Sequence, residues 1–414
     1  MIEFKEFELS NGLRVLLHTD KSTPIVAINT LYNVGARDEL EDKTGFAHLF
    51  EHLMFGGSEN IESFDQPLQM VGGENNAFTS NDITNYYITL PKDSIETALW
   101  LESDRMLNLA FSEESLRVQK NIVIEEFNQR YLNQPYGKAN LELRPLAFKT
   151  HPYKWATIGK DVSHIENANM RDVKDFFNRF YNPNNAILSV AGNIELEELK
   201  PLVKKWFGDI PKGSKNINSY KKEVEQLAQN RAITYDNVPQ DSIYMAFHMV
   251  GRSHSDYHVF DLLSDILSRG SSSRLYQNLV KEKTIFTEIS AYVTGEHDPG
   301  LFIISGKVNP RYTIDEAENA IWEQINLLKS ETVNTVELEK VKNKITVSLE
   351  FANNSVLNKA MGLATAKLLG DPNLVNIELT QYQNVLLEDI HRITNGYLTE
   401  ENSSVLHYLR ENDK

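Results

Sequence analysis

Residues 44–57 read TGFAHLFEHLMFGG, a mostly apolar stretch with two histidines and one glutamate. Thr44 is a residue type that caps helix N-termini, and Gly56 with Gly57 is a common helix stop, so the sequence predicts one short helix. Most of its remaining side chains are apolar, namely Phe46, Leu49, Phe50, Leu53 and Met54. Because a largely buried helix cannot leave polar side chains unsatisfied, its polar stripe needs a partner.

Strand patterns precede this helix, and further strands and helices follow it. The runs GLRVLLH (12–18) and IVAINTLYNV (25–34) are rich in β-branched and apolar residues, and a polar turn containing Pro24 separates them. Two neighbours of this kind predict an antiparallel pair. Further on, the patterns predict helices near 61–71, 92–110, 113–132, 170–180 and 195–207, and strands within 77–90 and 185–192.

A weak repeat relates the two halves of the chain. The segment TPIVAINTLYNVGAR (23–37) can be laid over VPQDSIYMAFHMVGR (238–252), and GFAHLFEHLMFGG (45–57) over VFDLLSDILSRG (259–270). The shared order of elements predicts a duplicated α+β unit of about 200 residues. The alternative is a chance similarity of two strand-then-helix pieces, because such pieces are common.

The predicted fold class is therefore α+β. Each of two homologous units is an α/β sandwich, in which helices pack on a mixed or antiparallel sheet. The polar, aperiodic stretch KGSKNINSYKKEVEQ indicates a linker between the units. The predicted boundaries are a first unit over 1–215, a linker over 216–230 and a second unit over 231–414.

Composition and charge restrict the classes of function. The 414 residues include 42 Lys and Arg against 58 Asp and Glu, a net charge of −16, which disfavours nucleic acid and anionic membranes as partners. Cysteine is absent, so any metal has to bind through His, Asp or Glu. The N-terminus lacks the basic and apolar regions of a secretory leader. We therefore expect a cytoplasmic location, or a periplasmic one if a leader has been removed.

The polar stripe of the central helix has the pattern H-x-x-E-H. His48, Glu51 and His52 stand at positions i, i+3 and i+4, which share one helix face. Two imidazoles can there bind one metal ion beside a carboxylate; a surface helix with ordinary polar residues is the alternative. A catalytic zinc needs a third protein ligand. Glu125 and Glu126 follow an apolar stretch of a later helix, and periodicity does not choose between them.

Several further motifs occur in a fixed order along the chain. They are GGENNAFTSNDITNYY (72–87), HPY and IG within 151–159, FYNPNNAILSVAGN (180–193) and RGSSSRLYQNL (269–279). Together with H-x-x-E-H and the V-I-E-E element at Glu126, they resemble the pitrilysin, insulinase and mitochondrial processing peptidase family of zinc metallopeptidases. The resemblance implies one Zn²⁺ per chain, with His48, His52 and Glu126 as its ligands and Glu51 as the general base for a zinc-activated water.

The same resemblance implies residues that contact the substrate. Asn76, Ala77 and Phe78 correspond to an edge strand that pairs with an extended peptide through main-chain hydrogen bonds. Phe55 stands at i+3 from His52 on the ligand face, so we expect it to line the pocket just past the scissile bond. Ordinary core packing is the alternative for Phe55.

The first half departs from the family pattern at a few positions. Gln119 stands seven residues before Glu126, where much of the family has a supporting Glu. Because Gln can form hydrogen bonds but adds no negative charge, we expect weaker metal affinity. Tyr136 and Asn140 stand where processing peptidases carry acidic residues that recognise substrate arginine. Specificity for basic presequences is therefore not expected.

The second half departs further. The positions opposite the motif are Asp261, Ser264 and Asp265, so this half is predicted to be a lid or binding wall without metal. Arg274 corresponds to a family Arg that holds the substrate backbone together with a Tyr, but Thr287 stands at the Tyr position. A solvated Arg early in a helix is the alternative. His254 and His258 are also four apart, and their polar surroundings favour a hydrated loop or helix start over a metal site.

These patterns together predict a zinc-dependent endopeptidase that hydrolyses unstructured peptides or small proteins. The family resemblance implies a clam-shell chamber of which this chain forms half, with a homologous subunit in a heterodimer or a second copy in a homodimer. A non-catalytic or partner-dependent assembly subunit is the alternative, and the intact motif disfavours it. A structural zinc protein would need a fourth ligand, and no suitable residue is evident in the sequence.

Overall fold

The computed structural model describes residues 1–214, 220–331 and 333–411, which divide into two compact units. The first unit comprises Met1–Phe127, Trp155–Tyr220 and Glu350–Ile377, and the second comprises Asn128–Lys154, Lys221–Leu349 and Glu378–Lys414. Relative to the sequence repeat, residues 128–154 of the first half belong to the second unit, and residues 350–377 of the second half belong to the first unit. The predicted boundaries at 215 and 231 stay a prediction. Residues 216–219 of the predicted linker lie outside the described residues.

Short strands and helices make up most of the described chain. The strands are β1 (Lys5–Glu8), β2 (Arg14–Thr19), β3 (Ile25–Tyr32), β4 (Glu74–Thr79), β5 (Thr84–Pro91), β6 (Ala186–Gly192), β7 (Asn230–Asp236), β8 (Ser242–His248), β9 (Phe286–Val293), β10 (Leu301–Val308) and β11 (Ser403–Arg410). The α-helices are α1 (Phe46–Leu53), α2 (Asp65–Met70), α3 (Ile95–Leu107), α4 (Glu113–Phe127), α5 (Ala139–Ala147), α6 (Val162–Glu166), α7 (Met170–Phe180), α8 (Leu196–Phe207), α9 (Tyr257–Ser268), α10 (Ile314–Ser330), α11 (Thr335–Ala352), α12 (Val356–Leu368), α13 (Leu374–Gln383) and α14 (Leu387–Tyr397). Within the described ranges, these helices are too short or too polar to cross a membrane.

The first unit contains a six-stranded sheet in the order β1-β2-β6-β3-β5-β4. β2 and β6 are parallel, and the other neighbours are antiparallel. The prediction that residues 12–18 pair with residues 25–34 is wrong, because β6 lies between β2 and β3 and pairs with both. All residues of β6 are buried, as expected of a central strand. Adjacency in sequence favours pairing, but it does not exclude a later strand that inserts between two earlier ones.

The second unit repeats this sheet without β1. Its strand order is β7-β11-β8-β10-β9, with β7 and β11 parallel and the other neighbours antiparallel. Strands β7 to β11 thus take, one by one, the places of β2 to β6. Helix α9 follows β8 as α1 follows β3. The predicted α+β fold with two homologous units is confirmed.

Each unit also contains a helix that the sequence repeat assigns to the other unit. Helix α12 belongs to the first unit and packs on β2, β3 and β6, and its Ala360, Leu363 and Ala364 are completely buried. Helix α5 belongs to the second unit, where Leu143 and Ala147 join the core formed with β8 and β11. An amphipathic pattern shows that a helix buries one face, but it does not show which sheet covers that face.

Candidate active site

A carboxylate from outside helix α1 caps its start. Glu39 is buried, and its side-chain oxygens accept hydrogen bonds from the backbone N–H groups of Gly45 at 2.9 Å and Ala47 at 2.8 Å. Burial raises the pKa of this carboxyl group well above its usual range, although both hydrogen bonds act in the opposite direction. Glu39 therefore satisfies N–H groups that the helix itself leaves without partners.

The prediction that Thr44 caps this helix is wrong. The Thr44 Oγ1 atom lies 2.8 Å from Nδ1 of His164 and accepts the backbone N–H of Lys160 at 3.0 Å. Gly45 directly precedes the helix with a φ of 89°, and a Cβ atom there would lie 2.5 Å from the carbonyl oxygen of Ile158. Glycine is required at this position, because both the left-handed conformation and the close approach disfavour a side chain.

His48, His52 and Glu126 come together at one point of the first unit. The Nε2 atoms of His48 and His52 lie 3.7 Å and 3.3 Å from Oε2 of Glu126. One potential ligand atom from each residue lies within 4.8 Å of the other two. All three side chains are half-buried. Within the described ranges, this is the one group of three or more His, Asp or Glu side chains with such spacing.

Glu125 and Glu126, between which the sequence pattern did not choose, have different surroundings in the structure. Glu126 and its neighbour Glu125 both lie in the last turn of α4. Val123 and Phe127 of this turn are buried, so the helix packs this side inward. Glu126 is half-buried at the two imidazoles, whereas Glu125 is exposed. Of the two carboxylates, Glu126 is the one beside the imidazoles.

Glu51 lies on α1 between the two histidines and is half-buried. Its Oε2 atom accepts a hydrogen bond from Oγ1 of Thr79 at 2.6 Å. Thr79 is the last residue of β4, and the sequence analysis did not single it out. It lies within the motif GGENNAFTSNDITNYY, and the strand alternation places Thr79 on the same side of β4 as Ala77.

Strand β4 lies at one end of the first sheet and pairs with β5. Asn76 and Phe78 are exposed and Ala77 is half-buried, so their side chains alternate between the two faces. The backbone N–H of Ala77 donates to Oδ1 of the adjacent Asn76 at 2.8 Å. Within the described residues, the other edge of β4 has no neighbouring strand, and such an edge can accept an added strand.

Phe55 and Gln119 both lie close to other residues of the first unit. The Phe55 ring lies edge-on to Phe64 with 5.7 Å between ring centroids, and the Arg105 guanidinium lies 5.7 Å from its centre. Phe55 is half-buried, so its ring packs against its neighbours and is also partly accessible to a substrate. Gln119 is half-buried on α4, with its amide nitrogen close to Gly56.

The second unit has other interactions at the positions opposite the motif. The Tyr382 hydroxyl donates to Oδ2 of Asp261 at 2.6 Å, and the Oγ of Ser264 donates to the Asp261 carbonyl oxygen at 2.8 Å. Burial raises the pKa of Asp265, against the effect of the Arg269 guanidinium 3.3 Å away. The first of these contacts joins α9 to α13, and none of them involves an imidazole.

Arg274, predicted to hold the substrate backbone, and Thr287, which stands at the position of the missing Tyr, both have partners within the second unit. Arg274 forms two hydrogen bonds of 2.8 Å with the carboxylate of Glu337 and is half-buried. Thr287 is exposed, and its Oγ1 accepts a hydrogen bond from Nε2 of Gln240 at 2.5 Å. The substrate role of Arg274 stays a prediction.

His258 lies in the first turn of α9 and, unlike the expected hydrated residue, is buried. Its ring stands at 87° to that of Tyr382, with 4.6 Å between centroids. Burial, and to a lesser extent the positive charge of Arg252, lower the pKa of His258 to about 4. His254 precedes the helix, and its Nδ1 accepts the backbone N–H of Asp256 at 3.1 Å.

A duplicated α+β fold with an H-x-x-E-H helix in the first unit alone defines the class of peptidases with an inverted zinc motif. The family model described as Insulinase (Peptidase family M16) matches residues 14–157, and the model described as Peptidase M16 inactive domain matches residues 167–345. The chain belongs to the pitrilysin and insulinase family of peptidases.

Individual relatives agree with this assignment. The zinc protease PqqE of Helicobacter pylori is 28% identical over 412 residues, covering 96% of this chain and 91% of that protein. The solved structure of a protease from Helicobacter pylori has a TM-score of 0.94 at 27% identity, covering 99% of this chain and 100% of that chain. The mitochondrial-processing peptidase subunit beta of Dictyostelium discoideum is 22% identical over 418 residues, covering 97% of this chain and 88% of that protein.

Proposed function

We propose that this protein is a zinc-dependent endopeptidase that hydrolyses unstructured peptides or small proteins. The observation that carries the proposal is the convergence of His48, His52 and Glu126, with Glu51 on the same helix as both imidazoles. A relative named as a zinc protease, similar over nearly its whole length, supports the same class of reaction.

The three converging side chains have the chemistry that zinc requires. Two imidazole nitrogens and one carboxylate oxygen form one of the donor sets of catalytic zinc sites, which leave a further position open. The donor atoms lie within 4.8 Å of one another, so small side-chain adjustments suffice for all of them to reach one ion. The residues present therefore fit a zinc ion held by His48, His52 and Glu126.

The remaining groups have distinct parts in hydrolysis. Zinc in such a set activates a water molecule for attack on a peptide carbonyl at neutral pH. Glu51 is outside the three-residue ligand set, so its carboxylate can take a proton and deliver it to the leaving amine. The open edge of β4 can hold an extended peptide through main-chain hydrogen bonds, which favours unstructured substrates.

We further propose that the working enzyme contains a second chain of the same family. Similarity to a protein named as a subunit of a processing peptidase supports this proposal. The partner is either a homologous subunit or a second copy, and a clam-shell chamber formed with it would restrict access to flexible chains. Peptidase assays of the chain alone and of its mixture with a related chain distinguish the two partners. Activity of the chain alone indicates a second copy, and activity only in the mixture indicates a homologous subunit.

Replacement of Glu51 by Gln tests the proposed mechanism. The amide cannot accept and deliver the proton, so we expect kcat on an unstructured fluorogenic peptide to fall about 10²–10⁴-fold. Zinc content, measured by atomic absorption after dialysis, should stay that of the wild type. In the wild type, a chelator should abolish turnover and added zinc should restore it.

Two results would contradict this proposal. One is full turnover by Glu51→Gln with zinc still bound. The other is a zinc-loaded wild type, tested alone and with both kinds of partner, that cleaves none of a set of unstructured peptides. The second result would instead favour a non-catalytic assembly subunit.

A further inference from the structure

We infer that Thr79 is a positioning residue that holds the carboxylate of Glu51 in one orientation for catalysis. The inference rests on the proposed function, because it assigns Thr79 a part in the same reaction. It adds a residue that the H-x-x-E-H pattern does not contain and that lies on another element, strand β4.

The contact itself is short and directional. The Oγ1 of Thr79 donates to Oε2 of Glu51 at 2.6 Å, and both side chains are half-buried. A hydroxyl that donates to a carboxylate forms one of the stronger hydrogen bonds found in proteins when the carboxylate is ionised. Glu51 can therefore be held by Thr79 on the side of the site formed by β4.

A free glutamate side chain rotates about several bonds, and fixing it costs conformational free energy. The hydrogen bond from Thr79 limits this freedom before a substrate arrives. General-base catalysis depends on a carboxylate at hydrogen-bonding distance from the proton that it takes. Loss of the hydroxyl should therefore lower the rate of the chemical step more than it weakens substrate binding.

The position of Thr79 in the strand adds a second consequence. Thr79 is two residues beyond Ala77, and both side chains point to the same side of β4. Strand β4, whose edge is proposed to bind the peptide, therefore also contacts the general base Glu51 through Thr79. A peptide that pairs with β4 would dock on the same rigid element that orients Glu51.

The alternative is that Thr79 only ties β4 to α1, and substitutions separate the two roles. Thr79→Val keeps the size and β-branching but removes the hydroxyl, whereas Thr79→Ser keeps the hydroxyl. Thr89→Val, in the neighbouring strand β5, is the matched control for the same change in side chain. Measurements on each variant are kcat and KM with an unstructured peptide, zinc content, melting temperature and the visible spectrum of the cobalt(II)-loaded protein.

We expect Thr79→Val to lower kcat about 10–100-fold, the range for residues that orient groups at metal sites. KM should change by less than about twofold, and zinc content should stay at the wild-type value. The melting temperature should fall by no more than a few degrees, as expected for the loss of one hydrogen bond. The cobalt spectrum, which reports on the metal surroundings without turnover, should shift. Thr79→Ser should recover most of kcat and the wild-type spectrum, and Thr89→Val should behave as the wild type.

The inference is overturned if Thr79→Val keeps the wild-type kcat and spectrum, or if Thr79→Ser loses as much activity as Thr79→Val. It is also overturned if the loss in Thr79→Val is accompanied by loss of zinc or by a fall in melting temperature of more than a few degrees, because Thr79 would then be structural. These failures leave an active wild type and so leave the proposed function intact. A wild type without peptidase activity refutes both.

Discussion

Glu39 stabilises the start of helix α1, which carries His48 and His52. Its carboxylate accepts two backbone N–H groups at the start of the helix that carries both imidazoles. We expect Glu39→Ala to leave these N–H groups without partners and to lower the free energy of unfolding by about 2 kcal/mol. Urea denaturation measures this loss, and zinc affinity should fall with it.

Glu41→Ala is the matched control for this prediction, because Glu41 lies in the same segment and is exposed. Its effect should stay within about 0.5 kcal/mol, as for most surface substitutions. Equal losses in the two variants would show that the capping contacts of Glu39 do not stabilise the helix.

His258 provides a prediction about pH. Its folded-state pKa of about 4 is below the ordinary value of 6.5, so the unfolded chain binds a proton between these values while the folded chain does not. The contribution of neutral His258 to the free energy of unfolding is complete above pH 6.5 and is lost as the pH falls towards 4. Between pH 7 and pH 5 this one group should lower the free energy of unfolding by about 1–2 kcal/mol.

The measurement is a set of urea unfolding curves from pH 7 to pH 5 for the wild type and His258→Phe. A phenyl ring suits the aromatic surroundings of His258, so the pH dependence of the variant should be flatter by the amount stated. His254→Gln is the control, because the side chain of His254 is 52% exposed. A variant His258→Phe with the same pH dependence as the wild type would refute the assignment.

Among the elements, β4 carries the most specific prediction. Pro removes the backbone N–H of Ala77 but is tolerated on edge strands, so Ala77→Pro should raise KM about fivefold through loss of one main-chain hydrogen bond. Ala77→Ser keeps the N–H and should retain the wild-type KM. Steady-state kinetics with an unstructured peptide measure both values, and an unchanged KM in Ala77→Pro would contradict pairing of substrate with β4.

The sequence predicts some features of these elements and not others. The pattern around His48 and His52 predicts a buried helix, because apolar spacing and two glycines define its extent. It does not predict the cap, because Glu39 and the conformation of Gly45 depend on the path of the preceding loop. The spacing also could not choose Glu126 over Glu125, because that choice depends on how α4 packs.

Over the whole molecule, the same sheet topology occurs twice, but the chemistry at the motif positions differs. The first unit presents two imidazoles and a carboxylate together, whereas Asp261 and Asp265 of the second unit contact Tyr382 and Arg269. The repeat was visible in the sequence through its order of elements. The exchange of α5 and α12 was not, because it depends on long-range packing that periodicity does not encode.

The proposed enzyme depends on a zinc ion that His48, His52 and Glu126 bind together. The most direct test measures zinc content and peptide turnover of the wild type, Glu126→Gln and Glu125→Gln under the same conditions. The two variants make the same change at adjacent positions of α4, and only Glu126 lies at the imidazoles. We expect one zinc per chain and turnover in the wild type and in Glu125→Gln, and loss of both in Glu126→Gln. Retention of zinc and turnover by Glu126→Gln, or equal losses in both variants, would contradict zinc binding by this group.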